Sequence, residues 1–258
     1  MIDKKVQEKK PDKTRPLILG VSSSLRSGRW GMGTNILMDQ LRKIDSENEL
    51  KEFLKNESEK HLENFIESGR QEGLPFDQIF KKLKKTGGRT GLSNSEVILS
   101  SALWSVYQAG CEIELLSLAD VFPHWGEAKN LDLVKETVLR ADALLISTPV
   151  YFGDRSSLAN DFIDFLYKDT KLRNSAREKV YAGLSVGAKR NGGQETTLIY
   201  QILDMVNLNF LSVGNDSETT SQYGGTCVAG DIGTAWKDEY GLWTSMGTGR
   251  RLARVTQL

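Results

Sequence analysis

Pro16-Leu17-Ile18-Leu19-Gly20-Val21-Ser22-Ser23-Ser24-Leu25-Arg26 is the stretch that decides the fold. Its first six residues form an almost unbroken apolar run, the composition of a parallel strand covered by helices on both faces. The run stops abruptly in three serines, a leucine and an arginine. Four more strand candidates lie at 112–118, 143–148, 180–186 and 209–213, separated by segments of helical character. Helix faces are legible in Leu131, Val134 and Val138, in Leu158, Phe162, Phe165 and Leu166, and in Leu198, Ile202, Met205 and Val206. Strands alternating with helices in this way predict an α/β fold with a doubly wound parallel sheet.

Between the first and second strands, one crossover helix would suffice, yet roughly five dozen extra residues intervene. Leu50, Phe53, Leu54, His61, Leu62, Phe65 and Ile66 recur at helical spacing. Gly69 can stop that helix, and Pro75 can start another carrying Phe76, Ile79, Phe80 and Leu83. Residues 27–92 therefore read as a helical insertion within one domain spanning 16–258. Its position suggests a cover over a bound ligand or a neighbouring subunit. A helix at 94–109, ended by Gly110, then feeds the second strand, and residues 1–15, rich in Lys and Asp, read as a mobile tail.

The charge balance narrows the choice of partners. Lys plus Arg and Asp plus Glu both number 34, so no net field draws the chain to nucleic acid or an anionic membrane, and small-molecule partners are expected. No apolar run approaches bilayer length and the polar start lacks a signal-peptide core, which predicts a cytoplasmic location. Cys111 and Cys227, the two cysteines, are too few for four-thiolate ligation, and His61 and His124 lack a surrounding ligand pattern. Trp125, Trp236 and Trp243 read as core or interface anchors. Lys81, Lys82, Lys84, Lys85 and Arg89 read as a solvated face.

The chemistry concentrates at one sheet edge. Ser22, Ser24 and Arg26 leave the first strand where hydroxyls, backbone N–H groups and the following helix N-terminus suit a phosphate monoester. After the third strand come Pro149, Val150, Tyr151, Phe152 and Gly153, a rigid turn with an aromatic pair. After the fourth come Ser185, Gly187, Gly192 and Gly193. Hydroxyls, aromatics and close-approach glycines converging there describe a site for a flat ring with a polar tail. The stretches Gly224-Gly225-Thr226 and Gly230-Asp231-Ile232-Gly233 look too glycine-rich for a simple strand or helix. No GxxxxGK[ST] or GxGxxG fingerprint occurs.

Taken in order, these loops resemble those of the flavodoxin-like NAD(P)H-dependent FMN reductases, a family that includes quinone and azo reductases and iron-sulfur flavoproteins. Ser22-Ser23-Ser24-Leu25-Arg26 resembles its phosphate loop, Thr148-Pro149-Val150-Tyr151-Phe152-Gly153 its isoalloxazine loop, and Gly192-Gly193-Gln194-Glu195-Thr196 the segment across the ring. Asp238, Gly241 and Gly249 extend the likeness weakly. In the family the phosphate loop runs straight into its helix, whereas here Ser93, Asn94 and Ser95 stand beyond the insertion. The resemblance implies that they rejoin Arg26 in space, with Asn94 and Ser95 capping the helix, and leaves Gly33-Thr34-Asn35 as a rival. It further implies a five-stranded sheet of order 2-1-3-4-5, FMN as cofactor, NAD(P)H as donor, a small-molecule electron acceptor, and a homodimer or homotetramer. The cysteine cluster of the iron-sulfur flavoproteins is missing. A non-enzymatic flavodoxin-type electron carrier and a flavin-free binding protein are the alternatives.

Overall fold

The computed structural model describes residues 15–75, 78, 79, 81–83, 88–122 and 127–258. The readings of residues 1–14 as a tail, and those of Phe76, Phe80, Lys84, Lys85, His124 and Trp125, lie outside the described residues.

The sheet is parallel, with strands β1 (Leu17–Ser22), β2 (Glu112–Ser117), β3 (Ala143–Pro149), β4 (Val180–Gly187) and β5 (Leu211–Val213) in the order 2-1-3-4-5. All eight residues of β4 are buried, as a strand covered on both faces requires. A sixth strand, β6 (Gly225–Val228), continues past β5 along the same edge of β4, with Leu184 opposite Gly225 and Gly187 opposite Val228. The glycine-rich stretch judged unsuited to a strand therefore supplies one. The physical reason is close packing: a Cβ on Gly225 would stand 2.8 Å from the Ser245 Cα of the C-terminal helix.

Helical elements that flank the sheet or extend the insertion include α1 (Met32–Leu41), α2 (Glu47–Glu67), α3 (Asn94–Gln108), α4 (Leu118–Val121), α5 (Leu131–Arg140), α6 (Ser157–Lys168), α7 (Thr170–Ala176), α8 (Gln194–Asn207), a 3-10 turn (Ala235–Lys237) and α9 (Glu239–Thr256), and residues 78, 79 and 81–83 are helical as well. Strand alternation sorts the core. Ile18, Leu145, Ala182 and Leu184 pack against α3 and α9, while Leu19, Val21, Leu144 and Ile146 pack against α5 and α6. The expected boundary at Gly110 holds, with φ of +89° just after α3. The readings of Asp238, Gly241 and Gly249 acquire structural content. Asp238 caps α9 and accepts from the Val228 N–H at 2.7 Å, and Gly249 lets α9 approach the Ala102 carbonyl of α3.

The insertion carries α1 and α2. Ser46 caps α2, and Leu50 and Leu54 join the core beneath the sheet. Phe65 at the far end packs with Ile79 and Leu83, the pair expected on the helix after Pro75. No helix among the described residues is long and apolar enough to cross a membrane.

Candidate functional site

The insertion leaves and returns through a neck. Trp30 N–H donates to the Gly88 carbonyl at 3.1 Å, Leu92 N–H donates to Glu57 at 3.1 Å, and Gly28 lies against the Gly91 backbone. The chain thus comes back beside the point it left, and α3 starts next to the turn after β1 as if nothing had been inserted. Arg26 and Ser93 are brought to one place. Gly33-Thr34-Asn35 belongs instead to α1, which packs beside the outer strand β2.

Glu96 seals the junction. Its carboxylate accepts from Gly28 N–H at 2.7 Å, Ser93 N–H at 2.8 Å, Arg29 N–H at 3.3 Å and the Ser27 hydroxyl. Burial pushes its carboxyl pKa up, against the pull of these donors. Ser93 caps α3 in return, forming a capping box with Glu96. The cap therefore lies at Ser93, one residue before the expected Asn94 and Ser95, which are the first two residues of the helix itself. Asn94 turns its side chain away, donating to the Asp231 carbonyl at 2.9 Å and accepting from Thr234 and Ala235 N–H, both at 3.1 Å. Gly230-Asp231-Ile232-Gly233 is thus a strap over the start of α3, held from outside by the Arg70–Asp231 ion pair at 2.7 Å.

In the turn after β1, Ser24 works mainly as a turn former: its hydroxyl accepts from Arg26 N–H at 3.2 Å and its carbonyl from Ser27 N–H, also at 3.2 Å. Ser23 Oγ donates to the Ser147 carbonyl at 3.0 Å, and Ser156 Oγ to the Ser23 carbonyl at 2.7 Å, binding this turn to the one after β3. Ser22 differs. By alternation it faces α3, as Gly20 does against Leu103, and its fully buried hydroxyl has no hydrogen-bond partner among the described residues. Its register neighbour Ser147 donates to the Ser95 carbonyl at 2.8 Å, so Ser22 lies at the first turn of α3. Among the described residues the N–H groups of Asn94 and Ser95 there carry no hydrogen bond. An orphaned hydroxyl beside open helix N–H groups fits a bound phosphate.

The second and third loops meet. Val150 N–H donates to the Val186 carbonyl at 2.8 Å, and Tyr151 and Asp154 close a tight turn through bonds of 2.7 and 3.0 Å. Pro149, the last residue of β3, leads into that turn. Within it Phe152 adopts φ of +53° and projects fully into solvent, while Tyr151 is partly exposed. Gly193 (φ +100°) faces Gly153, whose Cα would lie 2.6 Å from a Cβ added at Gly193, so Gly193 has no room for a side chain, while Gly153 has space but a φ of +81° that favours glycine. Gln194, legible in the sequence only as a member of the Gly192–Thr196 stretch, organises the third loop. It accepts from Gly192 N–H at 2.9 Å, donates to the Lys189 carbonyl at 2.9 Å, packs on Gly187, and receives the Ser185 hydroxyl on its carbonyl at 3.0 Å. Beyond this loop opens a cleft of about 870 Å³ lined by Arg190, Thr196, Thr226, Val228, Asp238 and Tyr240.

The readings for the remaining aromatics and cysteines divide. Trp236 packs against the core with the Lys55 ammonium 5.6 Å from its ring, whereas Trp243 is 38 % exposed at the surface. Both cysteines are buried, and burial pushes the Cys111 thiol up to about 11. Glu96, Arg29 and Glu57 have no place in the sequence-derived site, and Gln194 enters it only as a member of the Gly192–Thr196 stretch. The Ser93-x-x-Glu96 pattern was the one local signal available.

Similarities to known proteins agree with this arrangement. The sequence model of the NADPH-dependent FMN reductase family matches residues 87–219, just over half the chain, beginning where the insertion returns. An iron-sulfur flavoprotein of Methanocaldococcus jannaschii is 32% identical over 178 residues, which is 64% of this chain and 91% of that protein. An NAD(P)H dehydrogenase (quinone) of Methylocella silvestris is 28% identical, over 57% of this chain and 83% of that protein. A solved flavone reductase superposes with a TM-score of 0.50 at 14% identity, covering 93% of this chain and 63% of its own, a likeness of fold. The chain belongs to the NADPH-dependent FMN reductase family and is an oxidoreductase that works through FMN with NAD(P)H as its electron donor.

Proposed function

We propose that Ser22, Arg26 and the first turn of α3 hold the FMN phosphate, that the 149–153 and 187–193 loops flank the isoalloxazine ring, and that electrons pass from NAD(P)H to a small-molecule acceptor of the quinone class. The observation that carries this reading is the buried, unpartnered Ser22 hydroxyl at the open start of α3, on the sheet edge that also carries the Gly153–Gly193 contact. When bound, the flavin supplies hydride acceptance and electron return. The protein's residues do the rest. Arg26 and the α3 N-terminus offset the phosphate charge, and backbone N–H groups near Gly153 and Gly187 offset charge on the reduced ring. Tyr151 and Phe152 stand at the rim, suited to covering it. The cleft bordered by Arg190 and Tyr240 gives the acceptor a way in. The quinone class is taken from the name of the Methylocella silvestris relative.

The test is to add FMN to the purified protein anaerobically and titrate with NADPH or NADH while following flavin absorbance near ~450 nm. Bleaching, followed by recovery on adding a quinone, is the expected result. Binding without bleaching would point to an electron carrier, and no binding would remove the flavin reading.

Tyr200, Leu203 and Val206 project from one face of α8 beside exposed Leu211, an apolar row that supports self-association. Sedimentation should give at least a dimer, and Leu203→Glu should shift it to monomer.

A further inference from the structure

The insertion's main helix points its polar face at the phosphate end of the site. Arg29 is fully buried, a costly place for a guanidinium without a fixed anion. Glu57 of α2 is that anion. It also accepts from Gly91 N–H at 2.8 Å and from the Lys60 ammonium at 2.8 Å, while Arg29 Nε donates to the Gly91 carbonyl at 3.1 Å and Nη2 to the Gln40 side chain at 3.2 Å. Burial works against the Glu57 charge, but Lys60, Arg29 and the Gly91 N–H outweigh it and hold the carboxyl below its usual range.

From the opposite side, Glu96 of α3 takes the backbone N–H groups of Gly28 and Arg29 and the Ser27 hydroxyl. Residues 27–29 are therefore bracketed by two buried carboxylates, one on α3 and one on the insertion. The bracket lies one residue past Arg26. His61, one helical turn beyond Glu57, completes the contact: its Nδ1 would lie 3.1 Å from a Cβ on Gly28, and its ring sits beside Arg26. Among the described residues, no hydrogen bond or ion pair joins α2 to the 149–153 or 187–193 loops.

From this geometry we propose that Glu57, acting through Arg29, is a positioning residue for the FMN phosphate, so that the insertion is a built-in brace of the phosphate loop rather than a cover over the ring. The inference rests on the assignment of Ser22, Arg26 and α3 to the phosphate. Loss of the Glu57 charge leaves Arg29 buried without its anion; the guanidinium must shift, and Arg26 shifts with residues 27–29. The ring-flanking loops stay where they are.

Because riboflavin has the ring without the phosphate, the test compares fluorescence titrations of FMN and riboflavin for the wild type, Glu57→Gln and the apolar pair Arg29→Met/Glu57→Leu, each with a thermal melt. Glu57→Gln is expected to lose FMN affinity by about tenfold or more, with riboflavin affinity held within about twofold. The apolar pair, which removes both buried charges, keeps the test available if Glu57→Gln fails to fold, and should show the same selective loss. Unchanged FMN affinity, or equal losses for both ligands, would overturn the proposal while leaving the phosphate assignment standing. A wild type that binds riboflavin as tightly as FMN would overturn the phosphate assignment itself, and the proposal with it.

Discussion

Gly28→Ala should destabilise the protein by about 3 kcal/mol, a large effect for one methyl group. Replacing glycine ordinarily stabilises by about 0.4–1 kcal/mol through the unfolded chain, so the steric term has to overcome that gain. It can, because the added Cβ meets backbone. It would stand 2.7 Å from the Gly91 carbonyl carbon and 3.1 Å from His61 Nδ1. Neither neighbour has room to retreat. Gly91 is itself pressed against α2, where its own added Cβ would come within 2.9 Å of the His61 Cα. Relief requires opening the neck where the insertion leaves and re-enters the fold, which pulls Ser27–Arg29 off Glu96 and disturbs the turn carrying Arg26. Urea denaturation should show the loss as a lower midpoint, and FMN affinity should fall with it. Gly110→Ala is the control: Gly110, just past the C-cap of α3, has φ of +89° and meets only the Gln257 side chain, at an ordinary 3.7 Å from an added Cβ, so it reports backbone strain alone, about 1 kcal/mol. Equal losses in the two variants would mean that the neck is not closely packed.

Much of the architecture is legible because its signals are local. The apolar run from Leu17 to Val21 can satisfy a strand covered on both faces, and the strand–helix alternation after it leaves few topologies. The rejoining of Arg26 with Ser93 was legible only through the family resemblance, since the Ser93-x-x-Glu96 box marks where α3 starts but not what it starts beside. What escaped the sequence depends on partners far along the chain. Nothing near Arg29 or Glu57 announces burial, and charged residues ordinarily read as surface; only the folded neck brings them together. Strand β6 was hidden for a related reason. Its glycines look like loop residues until α9 is laid against them, and then their lack of a side chain is what permits the strand. Asn94 shows the limit of motif reading: its place at the start of α3 was correct, but its side chain holds the 231–235 strap.

The acid limb of the stability curve should be dominated by His61. The imidazole is 1 % exposed, and its pKa is pushed down to about 3 by burial and then by the Arg26 charge, against a weaker upward pull from a hydrogen bond to the Arg26 backbone. With the folded value below the unfolded value of about 6.5, protons bind the unfolded chain preferentially. The contribution is therefore intact above pH ~6.5 and is lost as pH falls towards ~3, by about 2 kcal/mol at pH ~5 and about 4 kcal/mol at pH ~3. Two neighbouring carboxyls titrate as well, with opposite signs. Glu57, held below its usual value, adds to the acid loss, whereas Glu96, raised by burial, favours the folded state on acidification. Both are present in His61→Leu, so the difference between wild type and variant isolates the imidazole. Urea unfolding of the two proteins at pH ~7.5, ~6, ~5 and ~4 should give curves that diverge below pH ~6.5, with the wild type losing stability faster. Parallel curves would mean that His61 reaches water in the folded state, and that α2 packs less tightly on the turn after β1 than the Gly28 and Arg26 contacts require.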